Sequence, residues 1–434
     1  MDKNQESRKP LTAYVRAEHK SPWEGRTPLT PDATQALVDR DIPVVVERSE
    51  FRCHKDNAFA RAGATLSEDL HGAQLVLGIK EPALDSIEPG QVHVAFSHTI
   101  KGQAYNMPLL QRFIDQKATI IDYETMRDAQ GVRTIAFGRF AGIAGAVDTF
   151  HILGRKLVKK GIVSSLSQID PTYRYDTIAR LRTQLSGLED FTAYPVRVVI
   201  NGTGNVSRGC QEVCRWMGLK EIQPEQIVDG KGPEGSWFCV LGSKDIVKRR
   251  DGGAFDAADY RHHGKDAYEN DFHKYLGSFN VLLQTIYWDE TYPKQMDHEA
   301  FLTFRDALPT VIGDISCDID GSLACTKKAS TIDEPAFSYN PEDGTIEDGI
   351  HWDRLSVMSI DHLPCQLSLD ASDHFANILV DYVVEMASMD LTKPLEECGL
   401  GRLLREATIV YRGELTEPYS YLQSFLDAAA KEVG

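Results

Sequence analysis

The sequence predicts an α/β protein with two mostly parallel sheets, and three observations carry that reading. Short apolar runs alternate with helix-patterned stretches through the first third of the chain. A second series opens at Val196–Ile200, where a strand runs directly into a glycine-rich turn and a helix. Between the two lies a long helix-patterned segment rich in glycine and alanine, and 434 residues leave room for two or three domains.

In chain order, Leu11–Val15, Pro43–Glu47, Leu75–Ile79, Val92–Phe96 and Ala118–Asp122 read as strands. Helical patterns between several of them suggest parallel pairing, and polar residues follow the strand ends, where open α/β sheets bind ligands. From Phe137 to Gly161, the small residues Gly138, Ala141, Gly142, Ala144, Gly145 and Ala146 would let a helix approach another backbone, as at a crossing between domains. Residues 162–192, with Ser164, Ser165, Ser167 and Pro171, read as a polar connection plus one helix. After the glycine turn a helix is expected through Met217. Two later strands, Val311–Ile315 and Val357–Ile360, enter Ser316–Ser322 and Asp361–Pro364. Phe375–Met386 has helical spacing and is expected to return to the first domain, which later helices complete. The expected division is 1–140 with 370–434, and 141–369.

Composition narrows the functional classes. With 42% hydrophobic and 26% charged residues, the chain can bury a large core and resembles neither a disordered nor a collagenous protein. Its 47 basic and 64 acidic side chains give a net charge of −17, which repels nucleic acid and anionic lipid, so neither is an expected partner. Residues 1–10 lack the apolar core of a secretory signal, and no apolar run approaches the ~20 residues that span a bilayer. The cytoplasm is the expected compartment. Eight cysteines without a Cys-x-x-Cys motif suggest reduced thiols. No metal is expected: Cys210 with Cys214, and His262 with His263, lack further ligands at a recognisable spacing. Oligomeric state leaves no mark in the sequence.

The sharpest local signal is Gly202-Thr203-Gly204-Asn205-Val206-Ser207 after the strand at 196–200. Gly202 suits a tight turn, Gly204 admits a phosphate to the backbone, and the helix N-terminus offers N–H groups to a pyrophosphate. An NAD or NADP cofactor is expected there. Glu221, Glu225 and Asp229 compete for the ribose-binding acid, while Lys244, Lys248, Arg249 and Arg250 form a later basic group, so spacing leaves NADH and NADPH open. In the first third, Arg16, Lys80, His98, Lys101 and Arg133 lie at or after strand-like runs and would suit a carboxylate-bearing substrate. Histidine exchanges protons near neutrality, and a desolvated lysine is tuned downward for the same work. Glu81 and Glu124 flank these cations, and Asp318 and Asp361 follow strands of the second half. The alternative for each is a solvated charge or a capping carboxylate.

A larger pattern surrounds these residues. Val15-Arg16-Ala17-Glu18-His19-Lys20-Ser21-Pro22-Trp23-Glu24, Leu77-Gly78-Ile79-Lys80-Glu81-Pro82, Phe96-Ser97-His98-Thr99-Ile100-Lys101, Ile121-Asp122-Tyr123-Glu124 and Ile360-Asp361-His362-Leu363-Pro364 resemble the lysine-2-oxoglutarate reductase branch of the saccharopine dehydrogenase and alanine dehydrogenase superfamily. The resemblance runs from about residue 11 to 385. It implies two Rossmann-like domains joined by long crossing helices, with an active-site cleft between them. It also implies reduction of the imine formed by lysine and 2-oxoglutarate to saccharopine, or the reverse, so the partners are a small amino acid and a 2-oxoacid. Lys80 and His98 match the catalytic pair, and Arg16, Lys101 and Arg133 match substrate-carboxylate or supporting positions. Glu81 and Glu124 match acids that tune the pair, and Asp361 a cleft aspartate near the nicotinamide. The cofactor set is then Gly202–Ser207, Asp229, Asp318 and Asp361, with family usage leaning to NADPH. The fit loosens at His19 and Trp23, at 324–327 and at 230–260. A changed rim there would make the protein an opine-type imine reductase or an amino-acid dehydrogenase for another pair. A non-catalytic sensor of nucleotide or lysine is the alternative of a different class.

Overall fold

The computed structural model describes residues 9–188, 191–227 and 229–433. The chain forms two compact units, one from residues 1–137 with 368–434 and the other from residues 138–367.

In the first unit, β1 (Ala13–Val15), β2 (Val44–Glu47), β3 (Thr65–Ser67), β4 (Leu75–Leu77), β5 (Val92–Ala95) and β6 (Thr119–Asp122) pair in parallel. The chain builds outward from β1 to β3, then returns to lay β4 against the other side of β1 and continues to β6. This reversal puts a topological switch point between β1 and β4, where two neighbouring loops leave in opposite directions and open a crevice. Central strands are buried on both faces, which is why Leu75–Leu77 is apolar throughout and every residue of Val92–Ala95, His93 included, is buried. Beyond the expected helices, the last segment contributes a hairpin: β17 (Thr408–Tyr411) pairs antiparallel with β6, and β18 (Glu414–Leu415) with β17. Ile409, Leu422 and Leu426 share an apolar core with Phe113 and Ile120, so burial ties the end of the chain to this sheet. The helix Ser368–Ala387 adds Phe375, stacked on Phe137 with ring centres 5.0 Å apart and planes 7° from parallel.

The second unit repeats the plan. Its parallel strands are β7 (Arg197–Asn201), β8 (Lys220–Ile222), β9 (Trp237–Leu241), β12 (Val281–Gln284), β13 (Val311–Asp314) and β16 (Leu355–Met358). Antiparallel β14 (Ala336–Tyr339) and β15 (Ile346–Asp348) extend one edge, and β10 (Val247–Arg249) pairs with β11 (Tyr268–Asn270) apart from the main sheet. The switch point lies between β7 and β12. On the other side of β7 stands β9, with β8 outside it at the edge. The helix Gly138–Lys159 packs on the helix Asn205–Trp216 of the same unit, and its small residues serve that contact. A Cβ on Gly142 would collide with the Val206 carbonyl, and one on Gly209 with that of Arg139.

No helix among the described residues is long and apolar enough to cross a membrane. Nor do the described residues contain a group of three or more His, Cys, Asp or Glu side chains arranged to hold a metal.

Candidate active site

Four adjacent strands of the first unit deliver the polar residues around its switch point. Arg16 follows β1, Gly78–Glu81 follow β4, Ser97 and His98 follow β5, and Asp122–Glu124 close β6. Arg16 is buried, and its Nη2 donates to the Lys80 carbonyl at 2.7 Å and to the Glu18 carboxylate at 3.0 Å. Glu18 in turn accepts the backbone N–H groups of Ile79 and Lys80, at 2.7 and 3.1 Å. Its carboxyl pKa is raised by burial, against the opposing pull of Arg16. Gly78 makes room for the guanidinium: a Cβ there would lie 2.7 Å from Arg16 Nε. Arg16 and Glu18 thereby brace the backbone that carries Lys80.

Burial lowers the Lys80 pKa, and the like charge of Arg26 lowers it further, while Glu24 and Glu81 pull the other way. Arg26 forms a buried two-point pair with Glu24, at 2.7 and 2.5 Å, and its guanidinium lies 4.3 Å from the Phe137 ring centre. Glu81 Oε1 meets His98 Nδ1 at 2.6 Å, and Oε2 meets Lys20 Nζ at 2.9 Å. Burial works to raise the Glu81 pKa, but hydrogen bonds from His98, its own backbone and Lys20, with the charge of His98, bring it down to about 2. An ionised carboxylate only accepts, so the His98 proton facing it sits on Nδ1 and the imidazole Nε2 is left for proton exchange. Arg133 pairs with Glu124 at 3.1 Å, and Lys101 lies exposed three residues beyond His98. The structure therefore joins Arg16, Lys80, Glu81 and His98 in one constellation and makes a pair of Glu124 and Arg133. Sequence reasoning missed Glu18, Lys20, Glu24, Arg26 and Asp122 as parts of this site. The available signal was the run of charges among otherwise apolar residues after β1.

At the second switch point the polar groups are mainly backbone. Gly202 has φ 107°, and a Cβ on it would lie 2.6 Å from Thr285 Oγ1, so glycine is required. A Cβ on Gly204 would meet nothing within 4 Å, which leaves open space beside the N-terminus of the helix beginning at Asn205. The first N–H groups of that helix have no intrahelical acceptor, and its dipole favours an anion. Val206 packs on the neighbouring helix, and Ser207 is buried with its hydroxyl 3.1 Å from Gln211 Nε2. An adjacent cavity of about 510 Å³ is lined by Thr203, Ser243, Lys244, Arg261, Trp288 and Gln295 among others. The Gln295 side-chain amide nitrogen is buried there without a hydrogen-bond partner among the described residues. These features fit the ADP portion of a dinucleotide: open backbone donors for the pyrophosphate, and a cavity with polar and aromatic walls for the nucleoside.

Asp229 does not join them. It lies in the loop leading toward the amino end of β9, where Gly230 N–H bonds Lys274 O at 3.2 Å, and it does not line the cavity. The physical reason is strand order: β9, not β8, stands beside β7, so the loop that neighbours the glycine turn and lines the cavity is the one after β9, Gly242–Lys244. Glu221 pairs with Arg215, and Lys248, Arg249 and Arg250 pair with carboxylates around β10 and β11. Asp318 and Asp361 follow β13 and β16, one and two strands beyond β12 along the same edge. Both lie close enough to Cys317 to help burial and Asp314 push its thiol up to about 12.

Two parallel-dominated α/β units with ligand-suited carboxyl edges define an alanine-dehydrogenase-like fold. The structure superposes on an L-alanine dehydrogenase with a TM-score of 0.62 at 16% identity, covering 96% of this chain and all of that one. Residues 14–144 match the family described as "Alanine dehydrogenase/PNT, N-terminal domain". The chain is homologous to the alpha-aminoadipic semialdehyde synthases and the saccharopine dehydrogenases. The synthase of Arabidopsis thaliana is 33% identical over 94% of this chain and 41% of its own length. The mitochondrial synthase of Bos taurus is 30% identical over 94% of this chain and 47% of its own. The chain thus spans less than half the length of these two relatives. "Saccharopine dehydrogenase [NAD(+), L-lysine-forming]" of Yarrowia lipolytica is 26% identical over 88% of this chain and 94% of its own length.

Proposed function

We propose that this chain is a nicotinamide-dependent oxidoreductase acting on CH–NH groups, which condenses L-lysine with 2-oxoglutarate and reduces the imine to saccharopine, or runs the reverse. The observation that carries this reading is the Lys80–Glu81–His98 constellation at the first switch point, in which Glu81 holds the His98 Nδ1 and draws on the charge of a lysine with a depressed pKa. Carbinolamine formation and loss of water both need a proton moved between nitrogen and oxygen. His98 Nε2 takes a proton from the substrate amine as its nitrogen attacks the ketone carbon, and returns it to the ketone oxygen, which becomes the carbinolamine hydroxyl. Lys80 donates to the departing hydroxyl, which leaves as water. The remaining N–H groups of Arg16, with Arg133 and Lys101, anchor substrate carboxylates, and Glu124 orients Arg133.

Residues 138–367 form the dinucleotide-binding unit, with Gly202–Ser207 at the pyrophosphate and Asp318 and Asp361 toward the nicotinamide end. When bound, the nicotinamide supplies the hydride. Ser243 and Lys244, placed after β9 where a ribose acid would select NAD, favour the 2′-phosphate of NADPH instead.

The test is oxidation of NADPH and of NADH by the purified protein with 2-oxoglutarate, with and without lysine, and the product identified by mass. Lysine-dependent oxidation yielding saccharopine, faster with NADPH, is expected. Turnover with other amines or oxoacids but none with lysine would overturn the substrate assignment.

A further inference from the structure

Asp122, at the carboxyl end of β6, is fully buried and accepts hydrogen bonds on both oxygens. Oδ2 receives the Ser97 N–H at 3.1 Å and the Ser97 hydroxyl at 2.5 Å, while Oδ1 receives the Glu124 N–H at 2.7 Å. Ser97 and Thr99, the two neighbours of His98, are themselves joined through their hydroxyls at 2.8 Å. His98 has φ 54°, a left-handed backbone that a histidine seldom adopts, and its carbonyl is held by Asn106 Nδ2 at 2.9 Å. Local preference therefore opposes the conformation that aims the imidazole at Glu81, and surrounding hydrogen bonds must impose it. Asp122 itself is fixed from behind by its N–H to the Ala407 carbonyl at 2.9 Å.

A cap on the short helical turn Tyr123–Thr125 would need only the Oδ1 contact to Glu124. The two contacts to Ser97 reach across to β5 and do nothing for that turn. One carboxyl group thus ties the loop of His98 to the start of Glu124. Burial pushes the Asp122 pKa up to about 6, against its bonds from Ser97 and Glu124, so the group is kept in an environment that disfavours its charge.

We propose that Asp122 is a positioning residue that acts through Ser97 on His98 and through the Glu124 backbone on the Glu124–Arg133 pair, fixing the acid–base imidazole relative to the carboxylate anchor. This rests on the reaction proposed above. Asp122→Asn offers one acceptor oxygen and one amide where two acceptors are needed, so one of the two ties must break. It is expected to lower kcat about ten- to a hundredfold, the effect of a displacement on the order of 1 Å at a reacting group. The pH–rate profile should change and nucleotide Kd stay the same. Ser97→Ala, which removes only the hydroxyl tie, should lower kcat less, and Ser97→Thr should restore it.

A substrate-free readout separates this inference from the choice of lysine. In imidazole NMR, with His98 assigned by loss of its signal in His98→Gln, the His98 resonance should move or broaden in both Asp122→Asn and Ser97→Ala. A folded Asp122→Asn with unchanged kcat, pH profile and His98 resonance would overturn the proposal. Should Asp122→Asn fail to fold, an unchanged His98 resonance and kcat in Ser97→Ala would overturn it equally.

Discussion

Between β1 and β4 the chain supplies Arg16, Glu18, Lys80 and Glu81, whereas between β7 and β12 it supplies Gly202, Gly204 and Thr285. Each sheet has a switch point, but the two are furnished differently. In the first unit, side chains hold one another: the buried ion pairs of Arg16 with Glu18 and Arg26 with Glu24, and the half-exposed His98 bonded to Glu81. Buried charges persist only when paired, and pairing also fixes their geometry. In the second unit the work falls to backbone N–H groups exposed by the lack of a Cβ. One edge is thereby suited to moving protons and the other to holding an anion.

This contrast predicts separable damage, largest for the proton-moving lysine. Lys80→Met should reduce lysine-dependent turnover by about 10²- to 10⁴-fold, the usual worth of a positioned acid–base group. Titration calorimetry should show its nucleotide Kd unchanged. Gly142→Val should act in the other unit, driving a side chain into the Val206 carbonyl and destabilising it by about 1–3 kcal/mol. Scanning calorimetry should show an earlier transition, and nucleotide affinity should fall with it. Gly78→Ala should displace the Arg16 guanidinium and raise the KM of the substrate whose carboxylate it holds about ten- to a hundredfold, in line with loss of one charged hydrogen bond. Steady-state kinetics in the two substrates reads this directly, and an equal rise in both KM values would contradict it.

A further effect is on acid stability. The Glu81 pKa in the folded protein, about 2, lies below its ordinary value of 4.5. Its stabilisation is therefore complete above pH 4.5 and is lost as pH falls through about 2. The difference in urea midpoint between wild type and Glu81→Gln should be largest near neutrality and shrink from pH 4.5 downward. A difference that grew on acidification would have the wrong sign.

The contrast also explains what the sequence disclosed. Strands β4, β5, β6, β7 and β13 are buried on both faces and read as apolar runs. The edge strand β8, with Lys220 and Glu221 exposed, carries no such run, whereas β17, buried throughout, carries one that the helical reading of the last segment passed over. Without β8 and β9 placed in the sheet, counting forward from the glycine turn led to Asp229 instead of Gly242–Lys244. Lys80, Glu81 and His98 were legible because they directly follow strand-like runs. Arg26 and Glu24 were not, because a buried ion pair in a loop has the same sequence signature as a solvated one. The glycine turn was legible because the conformation it needs excludes nearly every other residue.

The most direct test of the division between the two edges is a paired measurement of nucleotide Kd and lysine-dependent turnover in Lys80→Met and Lys244→Ala. Lys80→Met is expected to bind NADPH normally and to fail to turn over. Lys244→Ala should bind NADPH about tenfold more weakly, as expected for loss of one charged contact to a phosphate, yet retain kcat at saturating cofactor. If Lys80→Met turned over at the wild-type rate, or if it lost turnover and NADPH affinity together, the assignment of proton transfer to the first unit would be contradicted.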